Sequence, residues 1–164
     1  MNNRDLSKQI SILLNQFNAK NYEIVISKGN ILLKKNPEYV ILYNLIGSAF
    51  QNKGDYINAK KKFKDGLKLD SNNVALMNNL GLSHKNLLEY DLAEKIFLKI
   101  IDLNNNYVNA YINLGNLKRD LNKFSEAIKL YEEALLKSKQ SPVILYSLAL
   151  AHQGIGNFEK SFNY

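Results

Sequence analysis

Apolar residues recur along this chain at three- and four-residue spacing, in blocks separated by short polar breaks. VILYNLIGSAFQNK (40–53) is one such block. YINAKKKFKDGLKLD (56–70) is the next, with Ala59, Phe63 and Leu67 on one face. This spacing predicts amphipathic helices, because the helical turn gathers those positions into a single stripe that must be buried. The breaks are of two kinds. Short turns carrying Gly54 and Asp55, Asn122 and Lys123, or Gly156 and Asn157 separate the members of a helix pair. NPEY around Pro37, DSNN at 70–73 and NNNY at 104–107 separate one pair from the next. Gly, Asn and Asp suit these places as helix caps and left-handed turn residues. Strand-like alternation occurs nowhere, so the chain reads as all α.

The blocks keep a fixed period. Tyr22, Tyr56, Tyr90, Phe124 and Phe158 stand 34 positions apart, and so do Ile12, Ile46, Leu80, Leu114 and Leu148. Gly47, Gly81 and Gly115 form a third column, Ala59, Ala93 and Ala127 a fourth, and Phe63, Phe97 and Tyr131 a fifth. A period that survives without an inserted residue predicts a stacked array, in which each helix pair buries its stripe against neighbouring pairs. In register the units run 6–39, 40–73, 74–107, 108–141 and a partial 142–164, about four and a half repeats in a single domain, 1–164. The three column glycines fall in helix interiors, where Gly costs roughly 1 kcal/mol against Ala. A neighbouring helix that needs the space explains them.

A helix–turn–helix unit of this length resembles the tetratricopeptide repeat, and the residues agree beyond length. That motif asks for a large residue, then Leu-Gly, an aromatic, Ala, a further aromatic and Pro at a helix boundary. Unit 2 has Tyr43, Ile46-Gly47, Phe50, Ala59 and Phe63 at these places, and unit 3 has Met77, Leu80-Gly81, His84, Ala93 and Phe97. Unit 4 has Tyr111, Leu114-Gly115, Lys118, Ala127, Tyr131 and Ala134. The end units depart from the pattern, as terminal repeats of solenoids commonly do. Unit 1 keeps Pro37 but has Leu13 for the Gly, Val25 for the Ala and Gly29 for the aromatic, while unit 5 has Ala149 for the Gly and Ser161 for the Ala. The repeats look most like those of bacterial members and, at Asn79-Leu80-Gly81 and Asn113-Leu114-Gly115, like the O-linked N-acetylglucosamine transferase superhelix, whose Asn ladder binds substrate peptides. The resemblance implies a right-handed α-solenoid of stacked antiparallel helix pairs. First helices would line a concave groove, and second helices the convex outside.

Composition narrows the function classes. The net charge is +7, from 22 Lys and Arg against 15 Asp and Glu, and 20 of the 22 are Lys. Arg is the residue expected where phosphate or base edges are gripped bidentately. The densest basic run, Lys60, Lys61, Lys62 and Lys64, surrounds the core residues Ala59 and Phe63 and has no aromatics interleaved for base stacking. It reads as a solvated outer helix face, so no nucleic-acid partner is expected. Asn is abundant, 24 of 164 residues, in a broad Lys, Asn and Ile bias of the kind an AT-rich genome produces. Zero cysteines exclude disulfides and thiolate metal sites. His84 and His152 lie two units apart in the aromatic column, too far to share a metal ion with ligands near ~2 Å. They read as packed residues. Ser83 adjoins His84, but adjacent helical residues face away from each other. There is no glycine-rich phosphate loop and no facing pair of carboxylates, so no enzyme, cofactor or metal is expected. With no long apolar run and no apolar core in MNNRDLSKQI, neither a membrane span nor a secretory signal is visible, which favours the cytoplasm.

Function then falls to the positions that vary. The groove positions implied by the resemblance are Asn44, Ser48, Gln51 and Asn52 in unit 2, and Asn78, Asn79, Leu82, Lys85 and Asn86 in unit 3. Unit 4 adds Asn109, Ile112, Asn113, Asn116, Arg119 and Asp120, and unit 5 adds Tyr146, Leu150 and Gln153. This surface is amide-rich and nearly uncharged. Amides both donate and accept, so a ladder of them can hold an extended peptide backbone with little dependence on its sequence. The Lys and Asn pattern with which chaperone-binding members clamp a terminal carboxylate is not reproduced across consecutive units. The expected function is a non-catalytic scaffold binding a protein or extended peptide. The alternative is the substrate-recruiting arm of a glycosyltransferase- or sulfotransferase-type enzyme whose catalytic domain lies beyond residue 164. Unit 5 stops inside its second helix, so the chain reads as a fragment or N-terminal module of a longer protein. Its open apolar face is a place where copies could associate end to end.

Overall fold

The computed structural model describes residues 3–138 and 141–162, and helices account for both members of every expected pair among them. In chain order they are α1 (Asn3–Asn18), α2 (Tyr22–Lys35), α3 (Val40–Asn52), α4 (Tyr56–Leu67), α5 (Val74–Asn86), α6 (Tyr90–Leu103), α7 (Val108–Asp120), α8 (Phe124–Lys137), α9 (Pro142–Gly154) and α10 (Phe158–Phe162). The break at 139–140 and the last two residues, onto which the sequence carries the second helix of unit 5, lie outside the described residues. Two compact units hold them, residues 1–88 with α1 to α5 and residues 89–164 with α6 to α10.

Within residues 1–88 each helix packs on the next, and α3 also touches α1 and α5. Leu6, Leu13, Val25, Leu32, Leu42, Leu45, Ile46 and Ala49 make the core, with Phe17 and Tyr22 meeting edge to face at 5.4 Å beside it. Residues 89–164 repeat the scheme: α6 through α10 pack consecutively, and α7 also touches α9. Tyr111, Ala127, Ile128, Tyr131, Ile144, Leu148 and Ala151 form that core.

The glycine column has the steric cause expected of it. A Cβ on Gly47 would lie 2.4 Å from the Phe63 ring, and one on Gly115 would lie 2.5 Å from the Tyr131 ring. The aromatic of the second helix therefore rests on the bare backbone of the first. Unit 1 inverts the pair, with Leu13 in the glycine column and Gly29 in the aromatic one. A Cβ on Gly29 would approach Ile46 to 2.8 Å and Leu13 to 3.9 Å. The large and small members have exchanged places, so the departure conserves volume, which close-packed cores tolerate best.

The turns inside the pairs are uniform in geometry though not in residue type. Lys20, Gly54, Leu88, Asn122 and Gly156, one per unit at the 34-residue step, all have positive φ, between 58° and 79°. In unit 2 the Asp55 N–H donates to the Phe50 carbonyl at 2.9 Å and the Gly54 N–H to the Gln51 carbonyl at 3.0 Å. In unit 4 Lys123 donates to Lys118 at 2.8 Å and Asn122 to Arg119 at 2.9 Å. Each is a Schellman closure, which uses a left-handed residue to satisfy the last carbonyls of a helix. Second helices end otherwise. The block expected to run to Asp70 stops as a helix at Leu67, where the ladder tightens to Leu69 N–H on the Gly66 carbonyl at 3.1 Å. Asn73 then caps α5, its Oδ1 accepting from the Leu76 N–H at 3.1 Å.

Candidate functional site

In residues 1–88 the first helices α3 and α5 bring Asn44, Ser48, Gln51 and Asn79 together. The Asn79 Nδ2 donates to Asn44 Oδ1 at 2.9 Å and lies 3.4 Å from Ser48 Oγ. Gln51 Nε2 donates in the other direction, to the Asn79 carbonyl at 3.3 Å and toward Ser83 Oγ at 3.4 Å. Ser83 Oγ donates to the same carbonyl at 3.0 Å. The Asn79 donor, which the sequence reading holds out to a ligand, is thus used to tie α5 to α3. What stays open is the other end of each amide: Asn44 Nδ2, Asn79 Oδ1 and Gln51 Oε1, all on half-buried side chains. Asn52 and Asn86 fold back on their own helices, each donating to a carbonyl one turn earlier at 2.8 Å. Asn78 is only 7% exposed and offers little to solvent, whereas Lys85 is half-buried.

In residues 89–164 the corresponding face lies on α7 and α9. Asn109 is exposed, Asn113, Asn116 and Arg119 are half-buried, and Tyr146 is 66% exposed. The Tyr131 hydroxyl donates to Asn116 Oδ1 at 2.7 Å. Burial pushes that hydroxyl up to about 12, so it remains a donor at any ordinary pH. Asn116 is held by its oxygen and keeps its two N–H donors. Arg119 Nη2 sits 3.8 Å from Asp120 Oδ1, at the outer limit of an ion pair. Neither Ser83 nor Tyr131 is marked in the sequence as a partner of these amides. Column spacing puts a position on one face of its helix, and it carries no sign of which amides are already spoken for.

Lys118 stands in the family's aromatic column and has become the centre of a charged clasp. Its Nζ lies 2.7 Å from Glu94 on α6 and 2.9 Å from Glu126 on α8, with the lysine side chain only 10% exposed. Burial pulls the ammonium's pKa down, but the hydrogen bonds it donates to Glu94 and Glu126 outweigh this and leave the group above the ordinary lysine value. The same bond holds Glu126 below the usual carboxylate range. On α4 Lys62 is more than a solvated charge. Its Nζ donates to Asn30 Oδ1 at 2.7 Å, clasping α4 to α2, and burial lowers its pKa. His84 and His152 are buried, 3% and 4% exposed. Among the described residues no three His, Cys, Asp or Glu side chains cluster as they would around a metal ion, and no helix is long and apolar enough to cross a membrane.

Helix pairs on a fixed period, joined by left-handed turns and seated aromatic on glycine, define a helical repeat protein. The tetratricopeptide repeat model matches residues 40–73 and 74–107, and a second model of the same repeat matches 115–156. The chain belongs to the tetratricopeptide repeat family. No curated protein sequence matches it significantly. Among solved structures, PilF of Pseudomonas aeruginosa is similar with a TM-score of 0.85 at 19% identity, over 97% of this chain and 72% of that one. MamA from Desulfovibrio magneticus RS-1, solved from residue 41 to its end, gives 0.81 at 16% identity over 96% and 89%. The first tetratricopeptide domain of Spaghetti (RPAP3), solved with the HSP90 peptide SRMEEVD, gives 0.66 at 24% identity over 71% and 93%. At these identities the likeness is one of fold.

Proposed function

We propose that this protein is a non-catalytic scaffold that binds an extended peptide or protein segment along the faces of its first helices. One observation carries the reading: the amides of Asn44, Asn79, Gln51 and Asn116 are each fixed by a hydrogen bond at one end and open at the other. Groups already immobilised in the free protein lose little further side-chain freedom on binding, so more of each hydrogen bond survives as affinity. Donor and acceptor ends are both offered, which suits the alternating N–H and C=O groups of an extended backbone. A relative of the same fold holds a peptide, whereas the amides here favour main-chain contacts over a charged terminus.

The test uses peptides selected from a random library against the intact protein. Asn109→Ala and Tyr146→Ala alter exposed groove-side positions and leave the fold alone. Each should weaken a selected peptide by about 0.5–1.5 kcal/mol, with Asn116→Ala at the upper end. Binding should change little with salt, because few charges line these faces. A Lys60→Gln, Lys61→Gln, Lys64→Gln variant of the outer face should bind normally. Loss of binding in the lysine variant with silent groove variants would refute the reading.

A further inference from the structure

A cleft of about 220 Å³ opens between α1 and α2, lined by Gln9, Ile12, Leu13, Lys28 and Leu32. It continues along α2 past Ile31 to Lys35. Its floor is apolar and open to solvent: Ile12 is 46% and Ile31 60% exposed. Ile12 is the exception in its column, since Ile46 and Leu148 are 0%, Leu114 2% and Leu80 6% exposed. One repeat further on, within the same compact unit, the equivalent surface already carries a helix. There α2 lies over Ile46 at Gly29, whose backbone is so near that a Cβ would come within 2.8 Å of Ile46. Beside it Lys62, the counterpart of Lys28, donates to Asn30 Oδ1 on that same helix at 2.7 Å. The repeat thus shows what its own surface accepts: a helix with a small residue above the isoleucine and an oxygen acceptor above the lysine.

We propose that the cleft between α1 and α2 is a docking site for an acidic amphipathic helix of a partner protein. Charge selects the acidic partner. Residues 1–88 contain 13 Lys and Arg against 6 Asp and Glu, whereas residues 89–164 contain 9 of each. Lys28 and Lys35 are both exposed and stand seven residues apart on α2, two turns and about 10 Å along one face. Glu23, the one acidic residue of α2, pairs with Lys53. Leucines of the incoming helix cover Ile12, Ile31 and Leu32, and glutamates flanking them reach Lys28 and Lys35.

Two short synthetic helices test this on the intact chain, one with a leucine face flanked by glutamates and a twin with lysine in place of each glutamate. The acidic helix should bind about tenfold tighter at low salt, and rising salt should erode the difference. NMR amide shifts on titration should fall on α1 and α2. Lys28→Glu with Lys35→Glu should reverse the preference, and Ile31→Asn should weaken the acidic helix by about tenfold. These positions are exposed, so an unchanged melting temperature certifies each variant as folded. Equal binding of the twins overturns the proposal. So does an equal reversal by Lys61→Glu with Lys64→Glu, or a set of shifts centred outside α1 and α2.

Discussion

At the residue scale, side chains that look alike in the sequence do different work. Gly115 is read from its column as a place of close approach, and the structure supplies the reason, a tyrosine ring where the Cβ would stand. Gly115→Ala should therefore destabilise by about 1–3 kcal/mol, against the roughly 1 kcal/mol that alanine gains in an unhindered helix interior. Denaturant unfolding of the variant decides it, and a stabilised protein would mean that the ring moves aside freely. Asn79 shows the limit of column reading. Its position was legible, but its bond to Asn44 was not, because that depends on the distance between two helices. Asn79→Ala should cost about 1 kcal/mol of stability through the lost cross-link, so loss of peptide binding in that variant alone would be ambiguous. Lys118 was legible only as a departure from an aromatic. Its raised pKa contributes stability that is complete below the ordinary lysine value and lost as pH rises through the folded one. The lowered value of Glu126 contributes stability above the ordinary carboxylate range that is lost as pH falls. The melting difference between the native chain and Lys118→Met should thus be widest between about pH 5 and 10 and shrink on both sides. A difference independent of pH would show that the clasp is electrostatically inert.

At the scale of elements, helix positions were legible because the apolar stripe is long and repeated, and α3 begins at Val40 where its block begins. Ends were less so. The stop at Leu67 depends on local capping around Gly66, which outweighs an apolar pattern that continues to Leu69. The left-handed turns were visible where Gly54, Asn122 and Gly156 mark them and silent where Lys20 and Leu88 take the same φ of 60°. Those two bear a cost that the other turns avoid. Leu88 is 70% exposed, so removing its side chain forfeits little packing. Leu88→Gly and Lys20→Gly should each stabilise by about 0.5–1 kcal/mol, the left-handed penalty less the extra chain entropy of glycine. Thermal unfolding of the single variants measures this directly. A lowered midpoint would show that either turn draws its stability from the side chain.

At the scale of the whole molecule, the period told the architecture because stacked repeats reuse one local solution, and five columns in phase leave little room for another fold. The candidate site was legible only as a set of faces. Which amides remain open depends on partners such as Tyr131, which sits in an aromatic column, and Ser83, which sits in none of the repeat columns read from the sequence. Peptide binding along the first helices requires the open ends of those amides, and their N–H protons can be watched one by one. NMR of the side-chain amides, with and without a saturating library-selected peptide, should show the Asn44, Asn79, Gln51 and Asn116 resonances shifting on binding. If those resonances stay in place while signals from the second helices α2, α4, α6 and α8 move, the peptide binds elsewhere and the first-helix faces are not the site.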